Sequence, residues 1–334
     1  MFDLFLHEAS FARIADELKV HEAALRPVVI NDEGQLSAAW GEPLEDYEAE
    51  SAGPTIVYGT QDAFFGPAQM AFFTHIFSLP EISWCQISAA GTEHPALQAI
   101  GAKSDIYTGS HEQSGAIGDW VLWAGLDWFQ GGAERRSRMG DKRWYRMNAR
   151  ELSETRWLIV GYGHIGREVA RRLKTFGAHV TGVRRSEGID EHVDDMVHPD
   201  KFADVLGDAD AVLMCCPLTD DTTGMANADF FSSMKEGGLF LNVGRGGLVD
   251  ETALLAGLDA GRPGHAALDV VSEEPLPPEN PIWEHPAITH TPHISALSEG
   301  SKLRTDQVFL RNLGAFLTGE PMQNLVDASI FKQA

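Results

Sequence analysis

From residue 156 to residue 291 short apolar runs alternate with helical patterns, and this alternation restricts the possible folds more than any other feature of the chain. Strand candidates stand at 157–160, 179–183, 211–216, 239–243, 266–270 and 288–291. Helical patterns lie between them at 164–176, 199–206, 227–234 and 250–260. Gly177 directly follows the first of these, where a helix end favours glycine. Parallel strands cannot be joined by tight hairpins, so strands and helices alternating at this spacing predict a parallel, doubly wound sheet.

The rest of the 334 residues is too much for one core, and two domains are expected. Up to about Ser114 the chain reads as a smaller α/β domain, with strand candidates at 27–30, 55–58 and 84–87 and a helical stretch at 69–77. Residues 117–129 are apolar on nearly every face, which predicts a connecting helix buried all round. A last amphipathic pattern, 299–317, is too short to be a domain and is expected to pack back on the first one. The central part is then an insertion: residues 1–114 plus 298–334 form one domain and 115–297 the other.

Composition excludes several classes. A net charge of −23 argues against nucleic acid and anionic membranes as partners, since both need a basic face. No stretch approaches the roughly 20 apolar residues of a membrane span. The start lacks a basic region and acids interrupt its apolar run, so it reads as a poor signal peptide and a cytoplasmic protein is expected. Cys85, Cys215 and Cys216 make no disulfide framework, and no spacing suggests a metal site. One segment runs against the charge: Arg135, Arg136, Arg138, Lys142, Arg143, Arg146, Arg150 and Arg156. It is either a solvated surface or a subunit contact.

Gly161, Gly163 and Gly166, with His164 and Ile165 between them, fit G-x-G-x-x-G after a predicted strand and at the start of a predicted helix. In that context the glycines allow a tight turn, and the helix N–H groups hold a pyrophosphate. A site for NAD usually carries Asp or Glu about 20 residues on. Here Arg184, Arg185 and Ser186 stand at the end of the next strand, and a guanidinium fork suits phosphate. NADP(H) is the expected cofactor, with NAD(H) the weaker alternative.

Three further motifs sit at predicted C-terminal strand ends, where open α/β sheets bind ligands. They run from Asn242 through Arg245 to Asp250, from Leu268 through Asp269 to Glu274 and Pro275, and from Thr291 through His293 to Ser295. With these, the chain resembles the D-isomer-specific 2-hydroxyacid dehydrogenase family. Weaker likenesses at Ser88–Thr92, at 115–122 and at 324–327 extend the resemblance to essentially the whole chain. Asp119 stands where Glu is usual, and Gly244 where a small alanine-like residue is usual. The run from Glu274 to Trp283 is similar to glyoxylate and hydroxypyruvate reductases within the family.

The resemblance implies a Rossmann-type doubly wound parallel sheet inserted into a smaller flavodoxin-like α/β substrate domain. It implies that a 2-keto acid is reduced to the D-2-hydroxy acid. His293 donates the proton, Glu274 orients the ring, and Arg245 holds the substrate carboxylate and polarises its carbonyl. Ser88, Ala89, Ala90 and Gly91 form the substrate loop. Asp269 bonds the nicotinamide carboxamide, and Cys216, Pro217, Val243 and Gly244 complete the cofactor site. A homodimer is expected, built on the inserted domain.

Small polar acids, glyoxylate or hydroxypyruvate, are expected before phenylpyruvate, although Phe64 and Phe65 could make room for a bulkier side chain. From another class, a dinucleotide-sensing regulatory protein of the same fold stays open. Among relatives, Glu274 argues against formate dehydrogenases, which pair the histidine with glutamine. The arginine pair and the end of the chain at Ala334 argue against phosphoglycerate dehydrogenases, and phosphite dehydrogenases are separated only weakly.

Overall fold

The computed structural model describes residues 1–331 other than 39, 41–52, 90, 93, 187 and 189. The chain divides into two compact units, one of Met1–Gln113 with Leu297–Ala334 and the other of Ser114–Ala296.

The discontinuous unit contains strands β1 (Phe2–His7), β2 (Leu25–Ile30), β3 (Leu36–Ala38), β4 (Thr55–Gly59), β5 (Ile82–Ile87) and β6 (Ser104–Thr108). They form one sheet in the order β3-β2-β1-β4-β5-β6. Only β3 runs antiparallel. Without that edge strand the order is the flavodoxin-like 2-1-3-4-5. Helices α1 (Glu8–Lys19), α2 (Gln61–Phe65), α3 (Gln69–Ser78) and α4 (Pro95–Ala102) connect the strands. Alternate strand residues go to opposite faces. Phe5, Val28, Val57 and Cys85 pack with Phe72 and Ile76 of α3, whereas Leu4, Leu6, Ile56, Tyr58 and Trp84 pack with Ile14 and Leu18 of α1.

Phe309 and Leu313 join that second face from a helix, Glu299–Thr318, at the far end of the chain. The Phe309 ring stacks on Tyr58 at 4.0 Å and on Trp84 at 5.3 Å.

Strand β1 is central, yet its sequence did not announce it, because Asp3 and His7 interrupt the apolar run. Both polar groups are buried and satisfied. Arg26 donates to Asp3 from Nε at 2.6 Å and from Nη2 at 2.7 Å, and the His7 Nδ1 accepts the Ala9 N–H at 3.2 Å.

The contiguous unit opens with α5 (Ser114–Phe129) and α6 (Gly132–Gly140). Its strands are β7 (Arg156–Val160), β8 (His179–Val183), β9 (Asp195–Val197), β10 (Ala211–Met214), β11 (Leu239–Asn242), β12 (His265–Leu268) and β13 (Ile288–His290). All neighbours are parallel, in the order β13-β12-β11-β10-β7-β8-β9. Read outward from β7, this is the Rossmann order with one added strand, and its topological switch lies between β7 and β10. Helices α7 (His164–Thr175), α8 (Ala203–Leu206), α9 (Ala228–Ser233) and α10 (Glu251–Asp259) join the strands, and the chain-end helix Glu299–Thr318 is α11. Trp157, Ile159, Leu213 and Leu241 face Val121 of α5 and Val169 and Leu173 of α7. Leu158, Val160, Val212, Met214 and Phe240 face Phe230 of α9 and Leu254 of α10.

One expectation about packing is overturned. Helix α5 is not buried all round. Trp123 is 46% exposed, and with Leu122, Leu126, Asp127, Arg135 and Arg136 it lines a groove of about 860 Å³ between α5 and α6. Apolar content on every face does not ensure that every face is covered within one chain. The strand candidate 211–216 also ends early, at Met214, although the Cys215 N–H still donates to the Val160 carbonyl of β7 at 2.9 Å.

Candidate active site

The glycine turn after β7 brings two segments of backbone together. Gly161 has φ +103°, and a Cβ there would lie 2.4 Å from the Cys216 nitrogen. At Gly166 a Cβ would lie 2.8 Å from the Gly161 carbonyl oxygen and 3.0 Å from Ile159 Cγ2, so this glycine lets α7 pack closely on β7. Gly163 is different: nothing lies within 4 Å of where its Cβ would be. The protein has no packing reason for glycine there. The space is open above the start of α7, and no side chain caps that helix end. An open space beside a helix start suits a pyrophosphate. His164 is exposed and Ile165 half-buried at the helix start.

Beyond β8 the three expected phosphate ligands differ in state. Arg184 donates from Nε to the Ser186 carbonyl at 3.1 Å and from Nη2 to the Gly188 carbonyl at 2.9 Å. Its guanidinium lies 5.8 Å from the centre of the Tyr162 ring. Arg184 therefore shapes this loop, while Arg185 and Ser186 are exposed. Across the switch Cys216 and Val243 are buried. Gly244 is more constrained than its size suggests, since a Cβ would meet Leu248 Cδ1 at 2.8 Å and the Cys216 carbonyl oxygen at 3.0 Å.

The ends of β11, β12 and β13 gather the polar residues. His293 Nδ1 lies 2.8 Å from Glu274 Oε2, and the Val271 N–H donates to Glu274 Oε1 at 3.2 Å. Burial pushes the Glu274 carboxyl up. The hydrogen bond and charge of His293, the Val271 N–H and the charge of Arg245 outweigh that and hold it below the usual carboxylate range. Arg245 follows β11 and is half-buried, with Nη1 donating to the Gly244 carbonyl at 2.8 Å. Gly246 lets this loop approach the next one. A Cβ there would sit 1.9 Å from the Val271 carbonyl, two residues after Asp269 and three before Glu274.

His293 has φ +53°, a left-handed conformation that costs an L residue about 1–2 kcal/mol. Asp269 is 1% exposed, and its carboxylate turns to the histidine loop rather than to open space. Oδ1 accepts from the Thr291 hydroxyl at 2.6 Å and from the Ile294 N–H at 2.9 Å, and Oδ2 accepts from the Ser295 N–H at 3.0 Å. Thr291 and Gly246 lay inside motifs already noticed, but no periodicity or spacing marked their contacts.

In the other unit, Ser88 follows β5. Its N–H donates to the Gly59 carbonyl at 2.8 Å, and its carbonyl accepts from Gln113 Nε2 at 2.8 Å. The Ala89 carbonyl accepts from the Ser110 N–H at 3.0 Å. Ala90 lies outside the described residues, and Gly91 follows it.

Residues 122–295 match the family model described as D-isomer specific 2-hydroxyacid dehydrogenase, NAD binding domain. A human glyoxylate reductase/hydroxypyruvate reductase is 36% identical over 168 residues, 49% of this chain and 50% of that protein. Glyoxylate/hydroxypyruvate reductase A of Salmonella typhi is 33% identical over 169 residues, 51% of this chain and 54% of that protein. The matches thus span about half the length of these curated relatives. The crystal structure of an NADPH-dependent glyoxylate/hydroxypyruvate reductase from Sinorhizobium meliloti, in complex with NADP and sulfate, superposes with a TM-score of 0.73. That comparison covers 99% of each chain at 23% identity, and shows a shared fold.

The turn geometry separates two glycines that look alike in sequence. Gly161→Ala should lower the melting temperature by several degrees, because both the backbone angle and the Cys216 backbone oppose it. Gly163→Ala should melt within about a degree of the parent, as expected of a substitution into open space. Calorimetry of both variants checks this, and equal losses would contradict it.

Proposed function

The chain belongs to the D-isomer specific 2-hydroxyacid dehydrogenase family, and within it we propose an NADP(H)-dependent reductase that converts a small 2-keto acid, glyoxylate or hydroxypyruvate, to the D-2-hydroxy acid. The observation that carries this reading is the 2.8 Å contact of His293 Nδ1 with Glu274 Oε2 beside Arg245. It leaves Nε2 of the ring for a substrate. The names of the human and Salmonella relatives support the substrate class. The test is a panel of 2-keto acids assayed with NADPH and with NADH. Turnover of none of them would reject the reading, and a clear preference for phenylpyruvate would reject the substrate alone.

The open space at Gly163 and the uncapped start of α7 fit a dinucleotide pyrophosphate. When bound, the reduced nicotinamide supplies the hydride for the keto carbon. The remaining chemistry falls to the chain. Arg245 pairs with the substrate carboxylate and draws charge toward the carbonyl oxygen as that oxygen becomes negative. His293 gives its Nε2 proton to the same oxygen. Glu274 holds Nδ1–H and balances the charge of the protonated ring.

The exposed face of α5, the basic segment after it and Trp144, which is 97% exposed, point to a second copy of this chain as partner. Positive charge concentrated on one stretch of a protein with net charge −23 complements the acidic surface of another copy. Light scattering at working concentration should give twice the chain mass.

Arg185 and Ser186 are exposed at the end of β8, with Arg184 beside them. Replacing both arginines with alanine should weaken NADPH by about 1.5–3 kcal/mol for each charged hydrogen bond lost, and NADH far less. Binding titrations with the two cofactors decide the matter, and equal losses would contradict a phosphate contact.

The carboxyl of Glu274 is held below its ordinary range, so it is charged throughout the ordinary carboxylate range and above, and loses that charge only as pH falls through the depressed value. The Glu274 carboxylate lies 2.8 Å from the ring whose protonated form reduction needs. In Glu274→Gln, kcat/KM for reduction should therefore begin to fall at lower pH than in the parent. His293→Ala should lose about 10²–10⁴ in kcat across the range. A pH–rate series on the three proteins checks both outcomes, and near-parental turnover without the imidazole would assign the proton to another group.

A further inference from the structure

We infer that Asp269, acting with Thr291, is a positioning residue that locks the backbone of His293 and so keeps the ring on Glu274. The inference rests on the functional reading above, since it concerns the proton donor named there.

Asp269 stands one residue beyond β12, and its own N–H donates to the Asn242 carbonyl at 3.0 Å. Three successive amides of the histidine loop converge on it. The His293 N–H donates to the Asp269 carbonyl at 2.8 Å, the Ile294 N–H to Oδ1 at 2.9 Å, and the Ser295 N–H to Oδ2 at 3.0 Å. Successive N–H groups of an extended strand point to opposite sides. The Ile294 and Ser295 N–H groups can address one carboxylate together only when the chain turns in a nest, with one residue left-handed. His293 is that residue, at φ +53°. The carboxylate thus compensates a conformation that an L side chain otherwise avoids.

Thr291 closes the arrangement. Its hydroxyl donates to Asp269 Oδ1 at 2.6 Å, while its carbonyl accepts the His293 N–H at 2.9 Å. Asp269 is also only five residues before Glu274. A single buried carboxylate therefore sets the loop that carries the ring, and its own chain leads directly into the loop that carries the ring's partner. The role differs from a contact with the cofactor, which would act on affinity and leave the ring in place.

The charged groups acting on Glu274 are His293 and Arg245, and those acting on the neighbouring His290 are Asp269, Glu274 and Glu251. Thr291→Val alters none of these charges. A change in the ring's titration in that variant therefore reports its position. The experiment follows the His293 imidazole by NMR, assigned by its loss in His293→Gln. It also measures kcat and KM for the keto acid and the Kd for NADPH.

In Thr291→Val the titration midpoint should move to lower pH as the ring leaves Glu274. At the same time kcat should fall about tenfold, the worth of one hydrogen bond to a charged group. The Kd for NADPH should stay within about twofold, and Thr291→Ser should restore the parental values. Thr291→Ala, which likewise alters no charge, is the second variant, should Thr291→Val fail to fold, and the same readouts decide it. An unchanged titration and kcat in the folded variants would overturn the inference. So would weakened NADPH binding with a parental titration, which is the signature of a cofactor contact. The titration requires no turnover. A protein that reduces no keto acid but shows the shift would reject the functional reading and keep this one.

Discussion

At Gly161 the chain leaves β7 and runs against the backbone leaving β10, with no room for a side chain between them. The same kind of contact recurs at Gly246, where the Arg245 loop lies on the backbone of Val271. These two loops lie directly on a neighbour's main chain, with no side chain between. That makes the polar groups there dependent on one another's placement. Arg245 reaches the vicinity of Glu274 because Gly246 lets the loops touch, and Glu274 meets His293 because Asp269 gathers the amides that follow Thr291.

The discontinuous unit uses charge where the other uses backbone. Arg13 of α1 donates to Asp306 of α11 at 2.6 Å and to Asp62 of α2 at 2.8 Å. Tyr58 of β4 donates to the same Asp306 at 2.6 Å, and Lys302 of α11 pairs with Asp62 at 2.9 Å. Two cations thus face two carboxylates, and each buried group has opposite charge beside it. Burial alone would depress the Arg13 pKa, but the two carboxylates raise it above its ordinary value. Together with the Phe309 stack, the network fastens the last long helix to elements nearly 250 residues earlier, as the Tyr58–Asp306 separation of 248 shows.

Much of the architecture could be read from periodicity, because parallel strands covered on both faces are continuous apolar runs with glycine and polar residues at their ends. The β8 candidate 179–183 coincides with His179–Val183 for this reason. Strand β1 escaped because two buried polar residues broke the pattern, and what satisfies one of them, Arg26, lies on a neighbouring strand. The same limit applies to the site. The chemistry of His293, Glu274 and Arg245 could be inferred from residue type and motif, and their geometry is consistent with it. The work of Asp269 could not, since its partners are amides 25 and 26 residues away and amides carry no sequence signal. The loop contacts of Arg184 are equally silent in the sequence, since its hydrogen bonds to the Ser186 and Gly188 carbonyls go to main-chain groups.

The return of α11 to the first sheet bears on synthesis of the chain. Ser114–Ala296 is contiguous and can complete its core as soon as it emerges. The other unit cannot, because Phe309 and Leu313 belong to its second face. From Gln113 to Phe309 is 196 residues (309 − 113), about 10–40 s at roughly 5–20 residues per second. For that interval Leu4, Leu6, Tyr58 and Trp84 lack the cover of Phe309 and Leu313. The half-finished sheet then offers apolar surface to whatever it meets on the ribosome, and the order of the chain places its period of greatest aggregation risk before its last helix.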